Sequence, residues 1–368
     1  MYQPNFSITN KILKNTGIIE ACREVIISAP LVPAWEAKFR EEAIIRTVHH
    51  GTHIEGNELN ISEAARVLQG QEVVGRERDI QEVMNYRSVL DFIEKLGLGR
   101  RLGGLRVASI KEGMEITQED IKHIHKLTVE RILPDEECGK YRTTQVVVKN
   151  SLTGEVTFRP PPAIEVPYLM EDFFEWLNSN HAQEVHSVLR AGIVQYELVR
   201  IHPFLDGNGR VARAVATLIL FKEGYDIRKF FSLDEYYDKD AGRYYEALQS
   251  VDQRQQTKDN RQQDLTPWLE YFSEGLAVEL TRVKEKVQRL STDLHLKEKL
   301  GGHQIFLSER QIKIVEYIQK NGFLQNKAFP ELFPMISEDT ILRDIHDLMK
   351  KRIVRKKGKT KAAQYILR

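Results

Sequence analysis

Apolar residues recur at intervals of three and four along most of this chain, the spacing of amphipathic helices. "PAWEAKFREEAIIRTVHHGTHIEGN", residues 33–57, keeps that spacing and stops at Gly56-Asn57, a helix C-cap signal. "SEAARVLQGQEVVGRERDIQEVMNYRSVLDFIEKLG", residues 62–97, reads as more helix in the same style. "ITQEDIKHIHKLTVERIL" opens with Thr117 three residues before Asp120, a relative of the capping box. The pattern then changes. "TTQVVVKNSLTGEVTFRPPP" holds two short β-branched runs, 145–149 and 155–158, around Gly154, which predicts a β-hairpin stiffened at its exit by Pro160-Pro161-Pro162. Helical spacing resumes in "VPYLMEDFFEWLNSN" and "EVHSVLRAGIVQYELVRIHPF". It continues in "GRVARAVATLILFKEG", which is apolar almost all round and so predicts a helix at the centre of a bundle. "DEYYDKDAGRYYEALQSV" predicts one further helical segment, and "LTPWLEYFSEGLAVELTRVKEKVQRLSTDLHLKEKL" a long helix of rising charge that connects to a last module. In that module, "SERQIKIVEYIQKNG" starts with Ser308 and Gln311 in capping-box relation. "SEDTILRDIHDLMKKR" starts a helix at Ser337, and "IVRKKGKTKAAQYILR" reads as two strands around Gly358. Helices followed by a basic two-stranded wing describe a winged helix.

The fold class expected is therefore mainly α: a helical bundle with a β-hairpin, plus a C-terminal winged-helix domain. The expected division is an N-terminal helical region over 1–116, a core over 117–255, a helical linker over 256–302 and the winged helix over 303–368. The 368 residues suit two or three domains. Two cysteines, Cys22 and Cys138, outside any CxxC pair, speak against a disulfide framework or a cysteine zinc site. No apolar run has the length of a membrane span and the N-terminus lacks a signal-peptide apolar core, so no membrane partner and a cytoplasmic location are expected. The formal net charge of +1 hides an asymmetry. From residue 303 onward 14 Lys and Arg face 7 Asp and Glu, about +7 on a remainder of about −6.

The densest chemistry lies in "RIHPFLDGNGRVARAV", residues 200–215. Pro203 ends the preceding helix and leaves His202 on a loop. Gly207-Asn208-Gly209 can turn backbone N–H groups toward an anion, and the loop runs straight into a new helix, whose N-terminus carries free N–H groups and the positive end of its dipole. Arg210 and Arg213 in the first turn work against that dipole, so the arrangement calls for an anion, and a polyphosphate supplies it. Asp206 suits a divalent cation shared with such phosphates. His202 is a candidate to take a proton from an attacking hydroxyl. Phosphoryl or nucleotidyl transfer is the chemistry these residues point to.

"HPFLDGNGRVAR" resembles the signature of Fic-domain proteins, His-Pro-Phe-x-(Asp/Glu)-Gly-Asn-Gly-Arg-x-x-Arg, at every fixed position. "GKYR" and "PPP" flank the hairpin as they flank the flap of that family, and the resemblance spans about 117–251. It implies a protein adenylyltransferase, which transfers AMP from ATP with Mg²⁺ to Ser, Thr or Tyr hydroxyls of target proteins. His202 would be the base and Asp206 the metal ligand. Asn208, Gly207 and Gly209 would hold the α-phosphate, Arg210 the γ-phosphate, and Arg213 the β-phosphate side. Phe204 would fasten the loop. Val199, Val211, Ala212 and Tyr245 complete the expected ATP-binding positions, with Tyr244 as a neighbour. "GTHIEGN" resembles the family's inhibitory motif, (Ser/Thr)-x-x-x-Glu-(Gly/Asn), with Glu55 expected to occupy Arg210; Gly51 departs from it where Ser or Thr is usual. A bifunctional cycle that also removes AMP stays open, and a homodimer is common among such proteins.

Three further expectations complete the sequence reading. His49, His50 and His53, like His123 and His125, are not expected to bind metal, because adjacent and i,i+2 histidines do not share a helix face and no acidic partner is evident nearby. The stretch from Lys350 to Lys361 holds eight Lys and Arg and no acid, so DNA or a protein is an expected contact of the wing. The alternative function is a DNA-binding transcriptional regulator whose core senses a nucleotide.

Overall fold

The computed structural model describes residues 2–29, 33–98, 115–149, 156–225, 230–253, 263–299, 308–333, 336–351, 353–358 and 363–367. They form two compact units, 1–290 and 291–368. In the first, the helices are α1 (Asn10–Ser28), α2 (Pro33–His53), α3 (Ile61–Leu68), α4 (Glu77–Leu98), α5 (Gln118–Val129), α6 (Val166–Leu177), α7 (Asn180–Glu184), α8 (Ser187–Ile201), α9 (Asn208–Lys222), α10 (Leu233–Lys239) and α11 (Ala241–Gln253). A long helix, α12 (Thr266–Lys299), follows. Strands β1 (Val148–Lys149) and β2 (Val156–Phe158) pair antiparallel with Val148 opposite Phe158, where the hairpin is expected; its tip, 150–155, lies outside the described residues.

The helical starts follow the local chemistry. Thr117 caps α5 in a reciprocal box with Asp120, and Asn60 does the same for α3 with Glu63. Two stretches read as helical are helical, and each is divided in two. The 62–97 run divides into α3 and α4 because Gly70 takes φ +73, which ends a helix at no steric cost. The 234–251 run divides at Asp240 into α10 and α11.

The core is centred on α8 and α9, an antiparallel pair whose connecting turn is the 202–207 loop. Arg213 is buried inside α9 along with its apolar neighbours Val211, Ala212 and Ala214. The stretch expected to be a linker needs correction. Trp268, Leu269, Phe272, Leu276 and Leu280 of α12 are buried in this same core. Trp268 Nε1 donates to the Gly192 carbonyl at 2.7 Å, and a Cβ at position 192 would press on Leu269 and Phe272. The first half of α12 is thus a core helix, held there by apolar burial, and only its charged end has a linker's composition.

The second unit has its own apolar cluster, including Ile314, Ile318, Ile341, Ile345 and Leu348. Its elements are α13 (Glu309–Asn321), α14 (Phe329–Leu332), α15 (Glu338–Lys350), β3 (Val354–Lys357) and β4 (Gln364–Leu367). Ser308 and Gln311 form the expected capping box. β3 and β4 pair antiparallel, Val354 opposite Leu367, with Gly358 at φ +100 where the chain turns. Among the described residues no helix is long and apolar enough to cross a membrane.

Candidate active site

His202 is the C-cap of α8 and sits in the left-handed region, φ 51 and ψ 58, which a non-glycine residue adopts only under constraint. Two contacts supply the constraint. The backbone carbonyl of His202 accepts from Arg142 Nε at 2.7 Å, and its Nδ1 lies 3.2 Å from the Val199 carbonyl. A carbonyl only accepts, so Nδ1 carries the proton and Nε2 presents a lone pair. Burial pushes the His202 pKa below its usual 6.5, which keeps the ring neutral and able to receive a proton.

The loop beyond is closed on itself. Asn208 Oδ1 accepts from the Phe204 N–H and Asn208 Nδ2 donates to the Phe204 carbonyl, both at 2.9 Å, so its side chain holds the turn shut. Phe204 is fully buried and stacks on His125, centroids 3.9 Å apart and planes at 3°. His125 accepts the Gly139 N–H on Nδ1 at 2.9 Å, so Nε2 donates to the Asp206 carbonyl at 3.2 Å. Burial pushes His125 down to about 4, so it is a neutral strut beneath the loop. Gly207 caps α9 at φ 74, and no side chain caps that helix start. Among the described residues, no acceptor is recorded for the N–H groups of Asn208, Gly209 and Arg210.

The two arginines part company. Arg213, 2 % exposed, gives Nε to Asp234 Oδ1, Nη1 to Glu55 Oε1 and Nη2 to the Gly51 carbonyl, each at 2.8 Å. Arg210, equally buried, faces Glu82 Oε1 at 3.3 Å and Asp206 Oδ1 at 3.5 Å; its Nε and Nη1 make no hydrogen bond among the described residues. The expected pairing of Glu55 with Arg210 is therefore corrected: Glu55 holds Arg213. Three residues of helix advance about 300°, which leaves the two side chains roughly 60° apart. Arg213 turns to the end of α2, Arg210 to α4. Gly209 completes the fit, since a Cβ there would collide with the Glu55 carboxylate.

Gly51 has a similar explanation. A Cβ at this position would collide with the Tyr86 ring, whose hydroxyl donates to Asp234, so α2 approaches α4 as closely as only glycine allows. The bare carbonyl then pins the helix end to Arg213. Thr52 bonds back to the Val48 and His49 carbonyls instead. Asn57 continues the brace: its Nδ2 donates to Glu82 Oε2 and to the Asp79 carbonyl, both at 3.0 Å.

Asp206 accepts from the Gly207 N–H through Oδ1 and from Arg78 Nη2 through Oδ2, at 2.6 and 2.7 Å. Burial pushes its pKa up, but Arg210, the Gly207 amide and Arg78 outweigh burial and hold the carboxyl below its usual range. An ionised, partly exposed, hard oxygen donor at a phosphate-type helix start fits Mg²⁺, which takes one or two carboxylates and substrate phosphates. Arg78 and Arg210 are the cations that meet this charge here.

Of the remaining expected positions, Val199 serves through its carbonyl, Val211 and Ala212 are buried in α9, and Tyr245 is part-exposed with its hydroxyl donating to the Ile54 carbonyl at 3.2 Å. Tyr244 is buried against Tyr237 and Trp268. Residues that sequence reasoning did not single out are as important to the geometry. Arg142 is buried and donates to the carbonyls of His202, Thr144, Pro161 and Ile201, which ties the His202 turn to both ends of the hairpin. Its only signal in the sequence was "GKYR". Arg78, Glu82, His125 and Asp234 had none beyond residue type.

The bundle thus sets a neutral imidazole, with Nε2 free of a proton, at the edge of a buried, arginine-lined helix start. Residues 115–220 match the model of the Fic/DOC family. The protein adenylyltransferase Fic of Drosophila virilis is 32% identical over 186 residues, 50% of this chain and 34% of that one; its counterpart in Drosophila ananassae gives the same figures. The chain thus spans about a third of the length of these curated relatives. Among solved structures, a Fic family protein from Desulfovibrio desulfuricans G20 matches with a TM-score of 0.64 at 23% identity, over 100% of this chain and 98% of that one. Fic-1 (residues 134–508) from C. elegans matches with a TM-score of 0.58 at 24% identity, over 76% and 74%. Residues 115–220 thus resemble the Fic/DOC family, and the fold is the one these solved structures share.

Proposed function

We propose that this protein transfers AMP from ATP to a Ser, Thr or Tyr hydroxyl of a target protein. The observation that carries the reading is the His202 ring, fixed by Val199 with Nε2 unprotonated at the mouth of a helix start that holds two buried arginines. The target oxygen bonds to the α-phosphorus, the bond to the β,γ-diphosphate breaks, and Nε2 of His202 takes the hydroxyl proton. The N–H groups at the start of α9 receive the α-phosphate charge, and Arg210 and Arg213 face the leaving diphosphate. Asn208 contributes by keeping the turn shut. Asp206 would hold Mg²⁺, which supplies charge neutralisation to the phosphates when bound. Relatives named protein adenylyltransferase support the reading.

Glu55 acts as the brake in this proposal, through Arg213. Its carboxylate lies over Gly209 at the helix start, where an anion is favoured, and it holds the guanidinium that a triphosphate needs. A charge-assisted hydrogen bond of this kind is worth about 1.5–3 kcal/mol. Glu55→Gly should therefore raise self-modification roughly ten- to a hundredfold. Intact-mass spectrometry after incubation with ATP and Mg²⁺ reads both points. The expected result is a mass gain of one AMP in wild type, more in Glu55→Gly and none in His202→Ala. A gain that survives His202→Ala would overturn the base, and an unchanged gain in a folded Glu55→Gly would overturn the brake. Loss of that AMP after ATP is removed, dependent on Glu55, would establish the bifunctional cycle.

The 291–368 unit supports a second contact. β3 exposes Arg355, Lys356 and Lys357, while α15, the element a winged helix would lay in a groove, begins with Glu338 and Asp339. We read it as a winged helix with an accessory role; salt-dependent retention of DNA without any His202-dependent labelling would favour the regulator instead.

A further inference from the structure

The histidines at the end of α2 are not the isolated rings that their neighbours in sequence made them. His49 and His53 are four residues apart and His50 and His53 three apart, both of which place side chains on one helix surface. The ring centroids of His49 lie 4.6 Å from His50 and 5.4 Å from His53. The acid comes from α10. Asp238, whose side chain is 6% exposed, lies with Oδ2 2.7 Å from His50 Nδ1 and Oδ1 2.8 Å from His53 Nδ1. Donor atoms of His49, His50 and Asp238 all lie within 4.8 Å of one another. Among the described residues no Lys or Arg pairs with Asp238, so its charge meets imidazoles alone.

We propose that His49, His50 and Asp238, with His53 as fourth donor, bind a zinc-class divalent cation that clips the end of α2 to α10. Three imidazoles and one carboxylate form a nitrogen-rich set of intermediate softness, which selects zinc and its neighbours over Mg²⁺ or Ca²⁺. Zinc lies about 2.0–2.1 Å from nitrogen and about 2.0–2.2 Å from oxygen, which sets tetrahedral donors about 3.3 Å apart. The two short His–Asp contacts need to open by about half an ångström, and the longer separations close by side-chain rotation. The Nδ1 protons now held in the hydrogen bonds to Asp238 pass to solvent or to Nε2 as the ion takes their place. His53, with a side chain 52% exposed, gives the ion a way in. The site shares no residue with the 202–213 loop. It does lie two residues before Glu55, and Tyr245 ties down the intervening Ile54 carbonyl. A clip here would hold Glu55 on Arg213, a consequence that rests on the function proposed above; the binding itself does not.

Cobalt titration of the untagged, metal-stripped chain tests the site. The expected result is one equivalent per chain with the intense visible absorption of a four-coordinate ion, displaced by zinc. Asp238→Asn and His50→Gln should each weaken zinc binding about a hundredfold, while Asp206→Asn and His202→Ala leave it intact. Absence of saturable binding in wild type, a six-coordinate spectrum, or binding that survives Asp238→Asn or disappears in Asp206→Asn would overturn the proposal. If the variants fail to fold, the wild-type spectrum decides alone. Zinc binding without AMP transfer leaves the site standing and sinks only the function.

Discussion

His202, the proposed base, illustrates how little of such a role rests on the side chain alone. The Val199 carbonyl selects the tautomer, Arg142 holds the backbone in a left-handed conformation, and burial pushes the pKa below 6.5. A base must be neutral to accept a proton, so a lowered pKa extends activity toward acid. The acidic limb of kcat/KM for AMP transfer should have its midpoint below pH 6.5, with a flat profile from about pH 7 upward. A midpoint at or above 6.5 that belongs to His202 would contradict the burial argument. The identity of this residue was legible from "HPFLDGNGRVAR"; its tautomer was not, because the acceptor is a backbone carbonyl whose direction depends on how α8 ends.

At the scale of elements, α4 is as much a part of the site as the loop. Arg78 and Glu82, four residues apart and ion-paired, reach across to Asp206 and Arg210. The same acid braces Asn57 just beyond α2, so Glu82 joins Asp206 at Arg210 as Glu55 joins Asp234 at Arg213. Removal of one partner of a buried pair leaves the other uncompensated. Glu82→Gln should cost about 3 kcal/mol of stability in denaturant unfolding. ATP should then raise the melting temperature of Glu82→Gln more than that of wild type, since the triphosphate replaces the lost anion. Equal stability of the two proteins would show that Arg210 does not depend on Glu82. Helical spacing located α4 but gave its polar residues no special weight, since a charged i,i+4 pair is usually no more than a solvated face.

At the scale of the whole molecule, the described residues form two cores, one around α8, α9 and the first half of α12, the other within 291–368. Separate cores need not unfold together. Calorimetry should resolve two transitions, with ATP at about a hundred times its Kd stabilising the first unit by about 2.7 kcal/mol and the second not at all. A single transition shifted as a whole would mean that the units are energetically coupled.

The sequence by itself determined the helical class, the capped starts at Thr117 and Ser308, the hairpin before the prolines and the loop from His202 to Arg213. Each of these is written in residues that are close in the chain, where periodicity, caps and turn chemistry act. Tertiary structure alone decided the partners. Glu55 meets Arg213 rather than Arg210 because helix rotation and the close approach at Gly51 aim it there. The three histidines of α2 acquire Asp238 from a helix some 185 residues away. Charges and hydrogen bonds between distant segments depend on packing angles and on which small residue lets two backbones touch, and no local pattern encodes them.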